Sequence, residues 1–244
     1  MMRKKYLLVA ALTGVFVLFA VIRTPASLAL GLLPKEVRLD GCEGTLWQGR
    51  ASALGIGGQV VQENVRWQFL PGQLRQGRLA WQIGGQFNHE EGKLTVALSP
   101  ARITLHDAKL VLPAGPLFGL HDKLKMLRLG GYLRLETASF ALDQPSSLQA
   151  RLENLFSPLS PTTGPLGSYR IDLTMQPGQP AHWQVSPQEG ILAISGNGSM
   201  NHQQGTLTGQ LVFKPENKMA ASLKPVLASL PNNADVYTLS FANR

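Results

Sequence analysis

Acid–base or metal chemistry in this chain would have to come from five histidines, His89, His106, His121, His182 and His202. Three directly precede an acid, as His89-Glu90, His106-Asp107 and His121-Asp122. Neighbours along a strand point to opposite faces, so such pairs do not converge on one ion or one proton. There is no His-Glu-x-x-His and no Cys-x-x-Cys, and no metal site is expected. Gly196-Asn197-Gly198-Ser199 lacks the flanking glycine of a nucleophile elbow and the third glycine of a dinucleotide fingerprint. It reads as a hairpin turn. No pair of carboxylates stands out, so neither a catalytic residue nor a cofactor site is expected, and only the scattered histidines would speak for an enzyme of unfamiliar type.

What remains is aromatic. Gly41-Cys42-Glu43-Gly44-Thr45-Leu46-Trp47-Gln48-Gly49-Arg50 is answered by Val65-Arg66-Trp67-Gln68-Phe69-Leu70-Pro71. Trp47, Trp67, Trp81 and Trp183 are suited to line a ligand groove or a protein contact, since Trp is enriched at binding hot spots. Packing within a sheet is the plainer reading of the same residues. A curved sheet with an open apolar face would hold lipid or a partner strand. The single cysteine, Cys42, excludes an internal disulfide and reads as a small buried thiol.

Elements of period 2 must position these residues. Val65, Trp67 and Phe69 alternate with Arg66 and Gln68, Leu79, Trp81 and Ile83 with Ala80 and Gln82, and Leu94, Val96 and Leu98 with Thr95 and Ala97. Ile103 and Leu105 continue the series. Turn signals at Gly84-Gly85, Glu91-Gly92 and Ser99-Pro100 separate the runs, and the spacing predicts an antiparallel meander. Leu117 to Leu127 reads as a short helix or loop, and Gly130-Gly131 opens a strand. Residues 143–167, rich in Pro and Ser, mark a boundary between two halves of the domain. Further strands follow at 169–173, 182–185, 191–194, 205–213 and 236–241. Met219, Leu223, Val226, Leu227 and Leu230 share a helical face, with Pro225 either kinking the helix or opening a shorter one capped near Ser222. Gly44 to Gly49, Gly72 to Gly77 and Gly205 to Gly209 share Gly-x-Leu and suggest one strand-entry geometry used repeatedly.

The N-terminus reads as an address. Tyr6 to Ile22 is seventeen residues without a charge, about 25 Å as a helix. Arg3, Lys4 and Lys5 precede it and orient it with the short N-terminus in the cytoplasm. A cleavable signal is the rival, with Ser27-Leu28-Ala29 as a small-x-small site; the length of the run and Arg23 directly after it favour an anchor. The expected organisation is a basic tail (1–5), a transmembrane helix (6–22), a connector (23–38) and a β-rich domain (39–244). The formal net charge of +8 is spread without a basic stripe, which excludes a nucleic-acid-binding reading. The 244 residues are 44% hydrophobic and 16% charged, enough for a core and suited to sheets with many turns. The expected fold class is mainly β: extended, curved antiparallel sheet with a few short helices, after one transmembrane helix.

The order of these motifs resembles a known family. The basic start and the apolar run come first. Gly44-Thr45-Leu46-Trp47-x-Gly49-Arg50, Val65-x-Trp67-x-Phe69-x-Pro71 and Gly77-x-Leu79 follow. Then come Leu129-Gly130-Gly131-x-Leu133-x-Leu135, Pro165-Leu166-Gly167-x-Tyr169 and Gly190-x-Leu192-x-Ile194-x-Gly196-x-Gly198. The series is similar to the type II secretion system protein N family, also called general secretion pathway protein N. Between Arg151 and Thr163 the chain lacks a tryptophan that the family pattern carries. The resemblance implies a single-pass inner-membrane protein of Gram-negative bacteria with its bulk in the periplasm. It would support export of folded proteins across the outer membrane without enzymatic activity, with the protein C component or the secretin as partners. It supplies no catalytic or cofactor residues, and Gly44, Thr45, Leu46, Trp47, Gly49, Val65, Trp67, Phe69 and Pro71 are then structural. A fainter similarity to AsmA-like periplasmic proteins implies the alternative, a β-groove that binds or passes lipids.

Overall fold

The computed structural model describes residues 19–242 apart from 32, 33, 101, 120, 121, 142, 143, 162, 163, 202, 203, 205, 217–219 and 234. Residues 1–18, including Arg3, Lys4, Lys5 and most of the expected membrane span, lie outside the described residues. Residues 19–22 are helical. Among the described residues no helix is long and apolar enough to cross a membrane.

The period-2 runs form one open antiparallel sheet of 15 strands, almost all of them paired with their neighbours in sequence. The first are β1 (Val37–Asp40), β2 (Glu43–Gly44), β3 (Gln48–Ile56), β4 (Gln59–Phe69), β5 (Leu79–Phe87), β6 (Glu90–Ser99) and β7 (Arg102–Pro113). Then come β8 (Gly130–Ala141), β9 (Ser146–Phe156), β10 (Gly167–Met175), β11 (Ala181–Gly190), β12 (Leu192–Asn201) and β13 (Thr206–Pro215). The two-residue β14 (Asn232–Asn233) and β15 (Val236–Ala242) close the order. Four short helical segments interrupt it, at Pro71–Gln76, Gly115–Phe118, Asp122–Met126 and Ala220–Leu227. Residues 143–167 contain β9, which pairs with β8 on one side and β10 on the other.

The sheet is bent by bulges. Asn64, Asp107 and Asn154 have φ of 51°, 46° and 51°, and each lies where the register slips by one residue. Asn and Asp enter the left-handed region most readily after glycine, and a bulge there adds twist and bends its strand. The bend is sharp near the start of β4. Gln62 Nε2 donates to the Val111 carbonyl in β7 at 2.6 Å. Three strand spacings, about 14 Å on a flat sheet, are far beyond one glutamine side chain. The side chain lies over Gly85, where a Cβ would run into it, and touches Gly92, where a Cβ would run into Leu110 instead.

That contact explains a correction. Gly84-Gly85 and Glu91-Gly92 are not turns; they lie inside β5 and β6. The turn is Asn88-His89, both with positive φ. Gly196-Asn197-Gly198-Ser199 is likewise the middle of β12, not a hairpin turn. Its Gly198 faces Trp183 in direct register, and the indole fills the space a side chain would need. The three Gly-x-Leu segments do not share a geometry. Gly44 to Gly49 is a tight turn, Gly72 to Gly77 a 3-10 helix with its cap, and Thr206 to Gly209 is strand.

Residues in direct antiparallel register share a face, which fixes where the core sits. Over β9 to β15 the apolar face carries Leu152, Tyr169, Ile194, Phe213, Leu239 and Phe241. Phe118 and Leu124 from the two middle helices and Leu223, Val226 and Leu227 from Ala220–Leu227 pack on it. Burying each of these large side chains contributes about 1.5–3 kcal/mol. The expected apolar stripe of that last helix is therefore core, though Met219 lies outside the described residues. Pro225 sits inside the helix rather than opening it.

Candidate functional site

The Gly-Thr-Leu-Trp stretch forms the turn between β2 and β3. Thr45 shapes it: its hydroxyl accepts from the amides of Trp47 at 3.3 Å and Gln48 at 3.2 Å, and its own amide donates to the Gln48 carbonyl at 2.8 Å. This is the local side-chain bonding that favours Ser and Thr in turns. The outward carbonyls are then taken by indoles. Trp67 Nε1 donates to the Thr45 carbonyl at 2.9 Å, and Trp81 Nε1 to the Leu46 carbonyl at 3.0 Å. A half-buried indole needs such a partner.

The third indole points the other way. Trp47 Nε1 donates to the Val21 carbonyl at 2.7 Å, in the helical residues 19–22. The turn also takes hold of the chain just after them. Leu46 N–H donates to Thr24, Ala26 N–H donates to Gly44, and Pro25 bridges to Thr45. The Trp47 ring stacks on Trp81 with centroids 6.3 Å apart and meets Phe69 edge-on at 4.8 Å. The motif is thus a clamp that fixes residues 21–26 to the corner of the sheet.

Gly49 completes it. It pairs directly with Trp67, whose ring lies where a Gly49 Cβ would be. The same device recurs twice: Phe156 lies over its partner Gly130, and Trp183 over Gly198. Aromatic rings packed on cross-strand glycines are a known way to restore what glycine takes from a strand. Val65 is buried in β4, and Pro71 opens the 3-10 helix, where a missing N–H costs nothing.

The structure brings Gly44, Thr45, Leu46, Trp47 and Gly49 together with Trp67 and Phe69. Trp183 is apart from them, edge-on to Phe241 at 6.0 Å in the C-terminal half. Trp81 and Val21 are the members that sequence reasoning left out of the motif. Trp81 had a signal, since it alternates with Leu79 and Ile83; the link to Val21 had none. Cys42 is half-buried rather than buried, and partial burial pushes its thiol up from the ordinary value.

His89 is in a turn, His106 in β7 and His182 in β11, while His121 and His202 lie outside the described residues. Among the described residues no group of three or more His, Cys, Asp or Glu could hold a metal ion. The polar face opposite the clamp has a shallow cleft lined by Arg50, Arg66, Lys93, Glu43 and Glu91. Its three cations face two carboxylates, and Arg50 is paired with Glu43 at 2.6 Å. Further along, Arg134 binds Glu90 at 2.8 Å and Glu153 at 3.2 Å, tying the start of β6 to β8 and β9. Its hydrogen bonds hold the Glu90 carboxyl below the usual carboxylate range.

A family model described as type II secretion system (T2SS), protein N, matches residues 35–240. No curated protein and no solved structure matches the chain.

Proposed function

We propose that this chain, which belongs to the type II secretion system protein N family, is a non-enzymatic, membrane-anchored component of that machine. Residues 6–22 form the anchor, Arg3, Lys4 and Lys5 stay in the cytoplasm, and the sheet stands in the periplasm. There it supports export of folded proteins across the outer membrane, with the protein C component or the secretin as the first partners to test.

The observation that carries this reading is that the family match covers the sheet side of the clamp, Thr45, Trp47, Trp67 and Trp81. The matched region begins at residue 35, and its most distinctive motif is spent on fixing the sheet to the end of the apolar stretch. A turn that holds residues 21–26 by indole and backbone bonds makes those residues one body with the sheet. Such a body suits a part that must sit at a fixed place in an assembly.

Deletion of the gene, followed by assay of a folded type II substrate in the medium, tests it. Loss of export that the full chain restores is the expected result. Normal export, together with no co-purification of apparatus proteins, contradicts it.

A further inference from the structure

The apolar face that helices seal over β9 to β15 has no helix packed on it over β4 to β7. Three registered rows cross it. Phe69, Trp81, Val96 and Leu105 stand opposite one another in successive strands, flanked by the rows that begin at Trp67 and Leu79. Leu79 is 41% and Ile103 54% exposed. No core cluster forms over these rows among the described residues, whereas Leu105 at their far end already packs toward Phe140 and Met175. The four strands β4 to β7 span about 14 Å, comparable with the roughly 15 Å of one bilayer leaflet's hydrocarbon. Exposed apolar surface of this extent marks an interaction site rather than chance.

What lies beside the rows identifies the occupant. Trp47 stacks on Trp81 at their rim and holds Val21 by its indole. Phe19, Val21 and Ile22 are 57%, 44% and 54% exposed, and the sequence before them is uncharged back to Tyr6. The apolar rows and the apolar N-terminal stretch therefore meet at one tryptophan. Any medium that houses residues 6–22 reaches the rim of the rows without crossing water. Tryptophans with an apolar body and a satisfied N–H suit the membrane interface.

We infer that the apolar face of β4 to β7 is a lipid-contacting surface, seated against the acyl chains of the bilayer that holds residues 6–22. The inference rests on the anchor in the proposed function, but not on the role in secretion. It gives the sheet an orientation: the Trp-bearing face lies toward lipid, and the Arg66 and Lys93 face lies away.

A nitroxide at an exposed position of each face tests this in the full chain, with Cys42→Ser removing the native thiol. Ile103→Cys reports the apolar face and Gln82→Cys the opposite face of the same strands. Both are read in vesicles of phosphatidylethanolamine and phosphatidylglycerol. At position 103 the ratio of accessibility to oxygen over a water-soluble nickel chelate should be several-fold higher than at 82. Adding Leu79→Asp should lower that ratio, with the circular dichroism spectrum unchanged. Equal ratios at 103 and 82, in chains that float with the vesicles, overturn the inference. Shielding of 103 from both relaxants also overturns it, because a protein then covers the face. Failure to float overturns the anchor and this inference together, and leaves the export assay to judge the secretion role.

Discussion

Trp67 does two jobs with one ring: it covers Gly49 and closes the Thr45 carbonyl. Trp67→Ala should cost about 2–4 kcal/mol, less than the usual range for a fully buried tryptophan because the ring is half-buried. Trp67→Phe keeps part of the cover and loses the hydrogen bond, for about 1 kcal/mol. Gly49→Ala should be destabilising by about 1–3 kcal/mol, since its methyl needs the space the indole holds. Urea unfolding of the three variants checks the order. Glu90 gives a pH signature. A carboxyl whose pKa is depressed in the fold adds stability above its unfolded value, and that stability is lost as pH falls through the folded one. Arg134 depresses Glu90 in this way. The stability gap between wild type and Glu90→Gln should therefore be full near neutrality and shrink as pH falls below the ordinary carboxylate range. A gap undiminished at pH 3 would falsify the assignment. The Thr45, Trp47 and Trp67 pattern was visible in the sequence, but not its purpose. Which carbonyl an indole meets depends on a turn shape that spacing does not encode.

At the scale of elements, Ala220–Leu227 is the lid of the core. Leu223 is fully buried in it, and Leu223→Ala should cost about 2–5 kcal/mol. Ser160 donates to the Ser222 carbonyl at 2.7 Å and pins the lid from the β9–β10 connection. Ser160→Ala should add about 1 kcal/mol of loss in thermal or chemical unfolding. The helix was legible because its stripe of Leu and Val repeats at 3.6, and the strands were legible because alternation at 2 survives in Val65 to Phe69 and Leu79 to Ile83. Their limits were not. Gly85 and Gly92 look like turn residues, yet they are in strands, where Gln62 lies over Gly85 and Leu110 takes the space beside Gly92. Asn88-His89 is the true turn, and histidine is not a residue that announces one. Asn64, Asp107 and Asn154 are polar residues at or inside apparently regular runs; that each is a bulge follows from its register with the neighbouring strand.

The whole molecule is one sheet with an unequal covering. Helices close its apolar face over β9 to β15 and leave it open over β4 to β7. Amides of β10 to β13 should exchange slowest, and those of β3 to β6 should exchange through partial opening at lower free energy. Hydrogen exchange read by mass spectrometry in detergent-free buffer would show it; uniform protection along the sheet would contradict it. The strand order has a further consequence, for the time axis of folding. From β3 to β13 each strand pairs with the one before it. A chain made N-terminus first therefore always presents a finished edge to the strand now emerging. No strand in that run waits for a distant partner, and the exposed edge moves along the chain with synthesis. Only the lid helix and β15 arrive late, so the sheet is assembled as a ribbon and locked at its last thirty or so residues.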